Sequence, residues 1–122
     1  MIQIKRVYDL PAEEDGARFL VERLWPRGMK KEALQMSAWC KDSAPSAELR
    51  RWFGHDPAKW KEFQPLYRAE LTDNLAACQP LLDAARQGSI TLLYSAHDTE
   101  HNSAVVLKSY LEEGLAEQKS QR

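Results

Sequence analysis

Two short stretches of the chain gather the side chains that could do chemistry. The first runs Val21-Glu22-Arg23-Leu24-Trp25-Pro26-Arg27-Gly28, an apolar strand end that turns through Trp-Pro between two arginines. A guanidinium group is always charged, and its planar fork matches carboxylate and phosphate. An arginine on a buried strand needs an acidic partner or an anionic ligand. Arg23 and Arg27 therefore either face an anion or close internal ion pairs with Glu22, Asp9, Asp15 or Glu70. On strand spacing, Arg23 shares a face with Trp25.

The second stretch is Tyr94-Ser95-Ala96-His97-Asp98-Thr99-Glu100-His101-Asn102, a polar loop between an apolar strand and a helix. Ligands of α/β sheets collect at that strand edge, and free N–H groups at a helix start favour anions. Ordinary capping is the competing role: Asp98 or Thr99 as N-cap, or Asn102 and Ser103 one turn later. His101 has the chemistry of a general base, with Asp98 beside it. His97 and His101, four apart, would face one metal if the helix began by residue 98, with Asp98 or His55 as third ligand. Two surface histidines in a first helical turn are commoner, so no metal is assigned. Ser95 lies outside any G-x-S-x-G elbow and is not read as a nucleophile.

Together the stretches predict a polar, anion-binding cleft. Arg6, Arg23 and Arg27 supply its positive charge, and Tyr94, Ser95 and Asn102 line the opposite side. The ligand expected is small and anionic or nucleotide-like. An enzyme built this way would be a hydrolase or transferase, with His101 or Asp98 moving the proton and an arginine holding developing negative charge. The alternative is a non-enzymatic module for nucleic acid or protein, using Arg50, Arg51, Trp52 and the lysines near Lys30. No motif assigns a cofactor.

The elements that must position these residues follow from periodicity and punctuation. Gln3 to Tyr8 and Ala17 to Leu24 read as strands, joined by an acidic loop with Asp15-Gly16 at its tip. Gly28 to Leu34 suits a short helix, and Ser37 to Lys41 a weak third strand. Ser46 is an N-cap for a helix over Ala47 to Phe53, closed by Gly54-His55-Asp56-Pro57. Trp60, Phe63, Leu66, Tyr67, Glu70 and Leu71 follow helical spacing, and Leu75 to Ala85 continues it, with a break or kink expected near Pro80. Ile90 to Tyr94 is a buried strand. Ser103 to Leu115 is a helix with Ala104, Val105, Leu107, Leu111 and Leu115 inward, and a polar tail starts near Glu117. Strands joined through helices predict an α/β fold: a small parallel or mixed sheet of about four strands with helix cover. The aromatics Trp39, Trp52, Phe53, Trp60, Phe63 and Tyr67 are expected in the core rather than as a base-stacking platform.

The totals bound the rest. At 122 residues the chain is expected to be one domain with one core. Hydrophobic residues at 43% against charged residues at 29% mark it as globular. A net charge of −1 argues against a surface that tracks nucleic acid throughout. No apolar run nears the roughly 20 residues of a membrane span, so no membrane partner is expected. The first residues lack a signal-peptide core, which predicts a cytoplasmic protein. Cys40 and Cys78 lack metal or redox spacing and are read as reduced thiols.

The motifs also resemble a known family. Lys5-Arg6-Val7-Tyr8, Asp15-Gly16 with Arg18, Arg23-Leu24-Trp25-Pro26-Arg27-Gly28, Trp52-Phe53 with His55, and Leu92-Leu93-Tyr94-Ser95-Ala96 through Asp98, His101 and Asn102 are similar to those of the DUF488 family of small bacterial proteins, in its YeaO-like branch. The resemblance covers residues 5 to about 107. It implies a small α/β fold and names no activity. Other branches carry a cysteine where Tyr94 stands and a Cys-His-Arg run where Asn102, Ser103 and Ala104 stand. This chain has neither cysteine and lacks that arginine, so thiolate catalysis does not carry over to Tyr94 or Asn102.

Overall fold

A computed structural model describes residues 1–120. Its centre is β4, Ile90–Tyr94, in which every residue is buried. The unbroken apolar run suits a strand covered on both faces. Strand β1, Ile2–Arg6, pairs with it on one side, and β2, Ala17–Leu20, on the other. A two-residue edge strand, β3 at Ala38–Trp39, completes the order β1-β4-β2-β3, parallel throughout.

Four helices follow: α1 Ala47–Phe53, α2 Trp60–Asp73, α3 Leu75–Gln87 and α4 Ser103–Ser120. All four pack on one face of the sheet, where Phe53, Phe63, Tyr67, Leu81, Leu107 and Leu111 meet Ile2, Phe19, Ile90 and Leu92. The other face is covered by loops. There Val7, Leu20, Leu34 and Leu93 form a smaller cluster with Trp25, Met29, Met36 and Trp39. The aromatic residues of α1 and α2 are thus chiefly core. Trp39 joins the loop-covered side, and Trp52 stays partly exposed.

A buried ionic group anchors the loop-covered face. Asp15 takes Lys5 Nζ at 3.2 Å and pairs with Arg18. Arg18 Nε also donates to the Gln35 carbonyl at 2.7 Å, and Thr91 Oγ1 donates to the Asp15 carbonyl at 2.7 Å. Burial pushes the Asp15 carboxyl up, but the Ala12 amide, Lys5 and Arg18 outweigh it and hold it below the ordinary range. Gly16 must follow Asp15 here. Its φ is +63°, and a Cβ would lie 2.0 Å from the Ser89 carbonyl oxygen.

Several boundaries differ from those expected. Strand β2 ends at Leu20 rather than Leu24. One further ladder bond, from the Val21 amide to the Leu93 carbonyl at 3.1 Å, is made before β4 runs out and the chain bends away. Arg23 and Trp25 are therefore not strand neighbours. The stretch from Gly28 to Leu34 keeps only a single 3₁₀ turn at Lys31–Ala33. The break between α2 and α3 falls at Asn74, with φ −138°, and not at Pro80. Pro65 and Pro80 both lie inside helices on exposed sides. The carbonyls of Lys61 and Ala76, which lose a bond to them, are on exposed residues and can be hydrated. Val106 rather than Val105 is buried on α4. That helix continues past Glu117 to Ser120, and residues 121 and 122 of the expected tail lie outside the described residues.

Candidate functional site

The carboxyl ends of β2 and β4, the start of α4 and the end of α1 surround a cleft of about 500 Å³. Two of its walls are the stretches singled out in the sequence. Arg23, Arg27, Ser95 and Asn102 all line it. Arg50, His55 and His97 add cationic or titratable nitrogen to the rim, and Glu22 is the acidic residue of the lining. Trp25, Pro26, Pro45 and Phe53 supply an apolar part.

Arg23 meets no carboxylate. Its Nε donates to the Pro45 carbonyl at 2.8 Å and its Nη2 to the Ala44 carbonyl at 3.2 Å. That leaves Nη1 and the second Nη2 proton without an acceptor among the described residues. The internal ion pair that an arginine beside the sheet demands belongs instead to Arg18 and Asp15. Arg27 is exposed, and its carbonyl accepts from the Tyr8 hydroxyl at 2.9 Å. Among the remaining carboxylates expected as partners of Arg23 and Arg27, Glu70 accepts from the Ser46 amide at 2.8 Å and from its hydroxyl at 2.6 Å, locking the α1 N-cap. Asp9 accepts from the Arg6 amide at 3.2 Å.

Glu22 and Ser95 join the two strand ends. One oxygen of Glu22, Oε1, accepts from the Ser95 amide at 2.7 Å and from its hydroxyl at 2.9 Å. The Glu22 carbonyl accepts from Trp39 Nε1 at 2.6 Å. Arg6 works from the far side of the same loop. Its Nε donates to the Ala96 carbonyl at 2.9 Å and its Nη2 to the Ser95 carbonyl at 3.3 Å. Arg6 therefore holds the loop and is not among the residues lining the cleft.

Tyr94 is buried among the helix-facing core residues, away from the cleft lining. Burial pushes its hydroxyl up from the ordinary value; the charges of Asp9 and Asp98 add to this and Arg6 opposes it. Asp98 Oδ1 accepts from the amides of Glu100 at 2.9 Å and His101 at 3.0 Å, and these bonds hold its carboxyl below the ordinary range. Its Oδ2 sits 2.9 Å from His101 Nδ1. The His101 ring stands edge-on to Trp60, with centroids 5.3 Å apart. Neither Asp98 nor His101 lines the cleft.

Asn102 is the cap of α4. Its Oδ1 accepts from the Val105 amide at 3.1 Å, and its Nδ2 donates to the Asp98 carbonyl at 2.9 Å. The helix thus starts at Ser103 rather than by residue 98, so His97 and His101 do not share a helical face. Among the described residues no group of three His, Cys, Asp or Glu side chains comes together to hold a metal. Cys40 and Cys78 are free thiols.

Glu22, Arg50 and His55 join this cleft although the sequence points Glu22 to an ion pair, Arg50 to a nucleic-acid surface and His55 to a metal. The one signal for Arg50 and His55 is the helix stop at Gly54, which leaves both side chains exposed at the end of α1. Nothing local ties that end to residues 23 and 95.

The sheet and its cleft define a small parallel α/β protein with a polar site at the carboxyl edge. The family model described as the inactive DUF488-N3 subclade matches residues 1–122, and the chain belongs to the DUF488 family, in its YeaO-like branch. It is 44% identical over 110 residues to the uncharacterized protein YeaO of Escherichia coli K12, covering 90% of this chain and 96% of that one. The uncharacterized protein Rv3073c of Mycobacterium tuberculosis H37Rv and Mb3100c of Mycobacterium bovis are each 36% identical over 110 residues, covering 90% of this chain and 92% of theirs. No solved structure matches the chain. No helix among the described residues is long and apolar enough to cross a membrane.

Proposed function

We propose that the chain binds a small anion in the cleft between the β2 and β4 ends, and that it holds this ligand without transforming it. The observation that carries the reading is a charge imbalance. Three arginines, Arg23, Arg27 and Arg50, line the cleft with two histidines, against one carboxylate whose Oε1 already serves Ser95. Arg23 keeps unclaimed donors after fixing Ala44 and Pro45, so it is both oriented and available. A non-catalytic role agrees with the description of the matching subclade as inactive. Proton transfer by His101 and Asp98 is left out of the proposal, because they pair with each other outside the cleft lining.

The test is thermal unfolding in rising inorganic phosphate. A ligand at a hundredfold excess over its Kd stabilises by about 2.7 kcal/mol. Phosphate should raise Tm, and Arg27→Gln with Arg50→Gln should remove most of the rise. An equal rise in the double variant would overturn the proposal. A second reading is favoured by Trp52, which is 36% exposed with Lys59 Nζ 5.2 Å above its ring and Arg50 and Arg51 next to it. That surface suits nucleic acid, and single-stranded oligonucleotide binding that falls steeply with salt would support it.

A further inference from the structure

We infer that the anion taken by this cleft is a phosphorylated sugar unit, free or within a nucleotide, and that Glu22 Oε2 receives one of its hydroxyl groups. This deepens the proposed anion-binding role and rests on it. The observation is the asymmetry of the Glu22 carboxylate. Both Ser95 donors use Oε1, while Oε2 has no donor among the described residues, although Glu22 lines the cleft. A carboxylate oxygen without a donor, next in sequence to Arg23, is out of place in a site for a bare anion, which it would repel. It is in place if the ligand presents a hydrogen-bond donor as well as negative charge.

The surroundings restrict that donor. Three arginines line the same cleft, so an ammonium group is disfavoured and a neutral hydroxyl is the donor that fits. Size agrees. About 500 Å³ lies within the roughly 300–1,000 Å³ of sites that take ligands of drug size, and a lone phosphate ion fills only part of it. The ester's phosphate goes to the arginines and its hydroxyl to Oε2. Pro26, Pro45 and Phe53 remain as an apolar wall that a base could cover and a free sugar phosphate could not.

The experiment compares wild type with Glu22→Gln by calorimetric titration. Glutamine can keep its carbonyl oxygen on both Ser95 donors while its NH₂ replaces Oε2, turning an acceptor into a donor. The ligands are inorganic phosphate, ribose 5-phosphate, adenosine 5′-monophosphate and the 2′,3′-dideoxy form of that nucleotide. Wild type should bind the hydroxyl-bearing esters more tightly than phosphate. Glu22→Gln should weaken them by about ten- to a hundredfold and leave phosphate unweakened. Tighter binding of the nucleotide than of ribose 5-phosphate assigns the apolar wall to a base, and equal binding assigns the site to free sugar phosphates.

The dideoxy form tests the same bond without altering the protein, so the result stands even if the variant folds poorly: it should bind wild type about tenfold or more weakly than its parent. If phosphate binds but the dideoxy form matches its parent, the inference fails and the anion site survives. If neither phosphate nor any ester binds, both fall.

Discussion

Glu22 Oε1 accepts from both the amide and the hydroxyl of Ser95, at 2.7 and 2.9 Å, so one carboxylate oxygen fastens the end of β2 to the end of β4. Removing it leaves a part-buried amide without its acceptor. Glu22→Ala should cost about 1–3 kcal/mol in urea-denaturation measurements. Ser95→Ala, which keeps the amide bond, should cost about 1 kcal/mol.

The three arginines of the cleft should separate by what else they hold. Arg23 fixes the Ala44 and Pro45 carbonyls, so Arg23→Ala should lower stability by about 1–3 kcal/mol and also lose the response to phosphate. The Arg27 and Arg50 side chains are exposed, so their alanine variants should stay within about 0.5 kcal/mol of wild type while losing phosphate response. Paired denaturation and phosphate titrations distinguish the two outcomes.

Asp15 sets an acid limit on the fold. Its folded carboxyl titrates below the ordinary Asp value of about 3.9. The stability it contributes is therefore complete above that unfolded value and lost as pH falls through the folded one. Stability measured from pH 5 downward should drop through this window, and Asp15→Asn should flatten that part of the profile. The variant should also lose about 3–5 kcal/mol at neutral pH, because Arg18 and Lys5 remain without their counter-charge.

Gly16 and Gly28 both have positive φ, at 63° and 72°, yet they should respond differently to alanine. At Gly28 nothing lies within 4 Å of the added Cβ, so only the backbone penalty of about 1–2 kcal/mol applies. At Gly16 the Cβ would collide with the Ser89 backbone, and the cost should exceed about 4 kcal/mol or prevent folding. Comparative yields and melting curves check the difference.

Local signals were readable in the sequence where one residue type decides them. Ile90–Tyr94 and Ala47–Phe53 have the expected bounds, because an apolar run with turns at both ends and a Ser46–Gly54 bracket leave little choice. The end of β2 was not readable. Leu24 is as apolar as Leu20, and nothing in the local sequence marks Leu20↔Leu93 as the last pair. Arg18 was invisible as the buried arginine, since its partners Asp15 and Gln35 reach it through loops that cover the sheet. Arg23, Arg27, Ser95 and Asn102 do meet around one cleft, as the two strand ends suggested. Arg6 turned to loop carbonyls because it lies on β1, on the far side of β4 from β2.

The strand order has a consequence for how the chain reaches its structure. Ile2 pairs with Ile90 and Ala17 also pairs with Ile90, so the first two strands have no common neighbour until the fourth is made. During synthesis the residues before 90 emerge with β1 and the β4-facing edge of β2 unpaired, and the sheet can close only when residues 90–94 leave the ribosome. Helices α1 to α3 can form earlier, but the surface they pack on stays incomplete until β4 and α4 have followed. Folding of this protein is therefore a late, long-range event, and nascent chains stopped before residue 90 are the ones most exposed to misassembly.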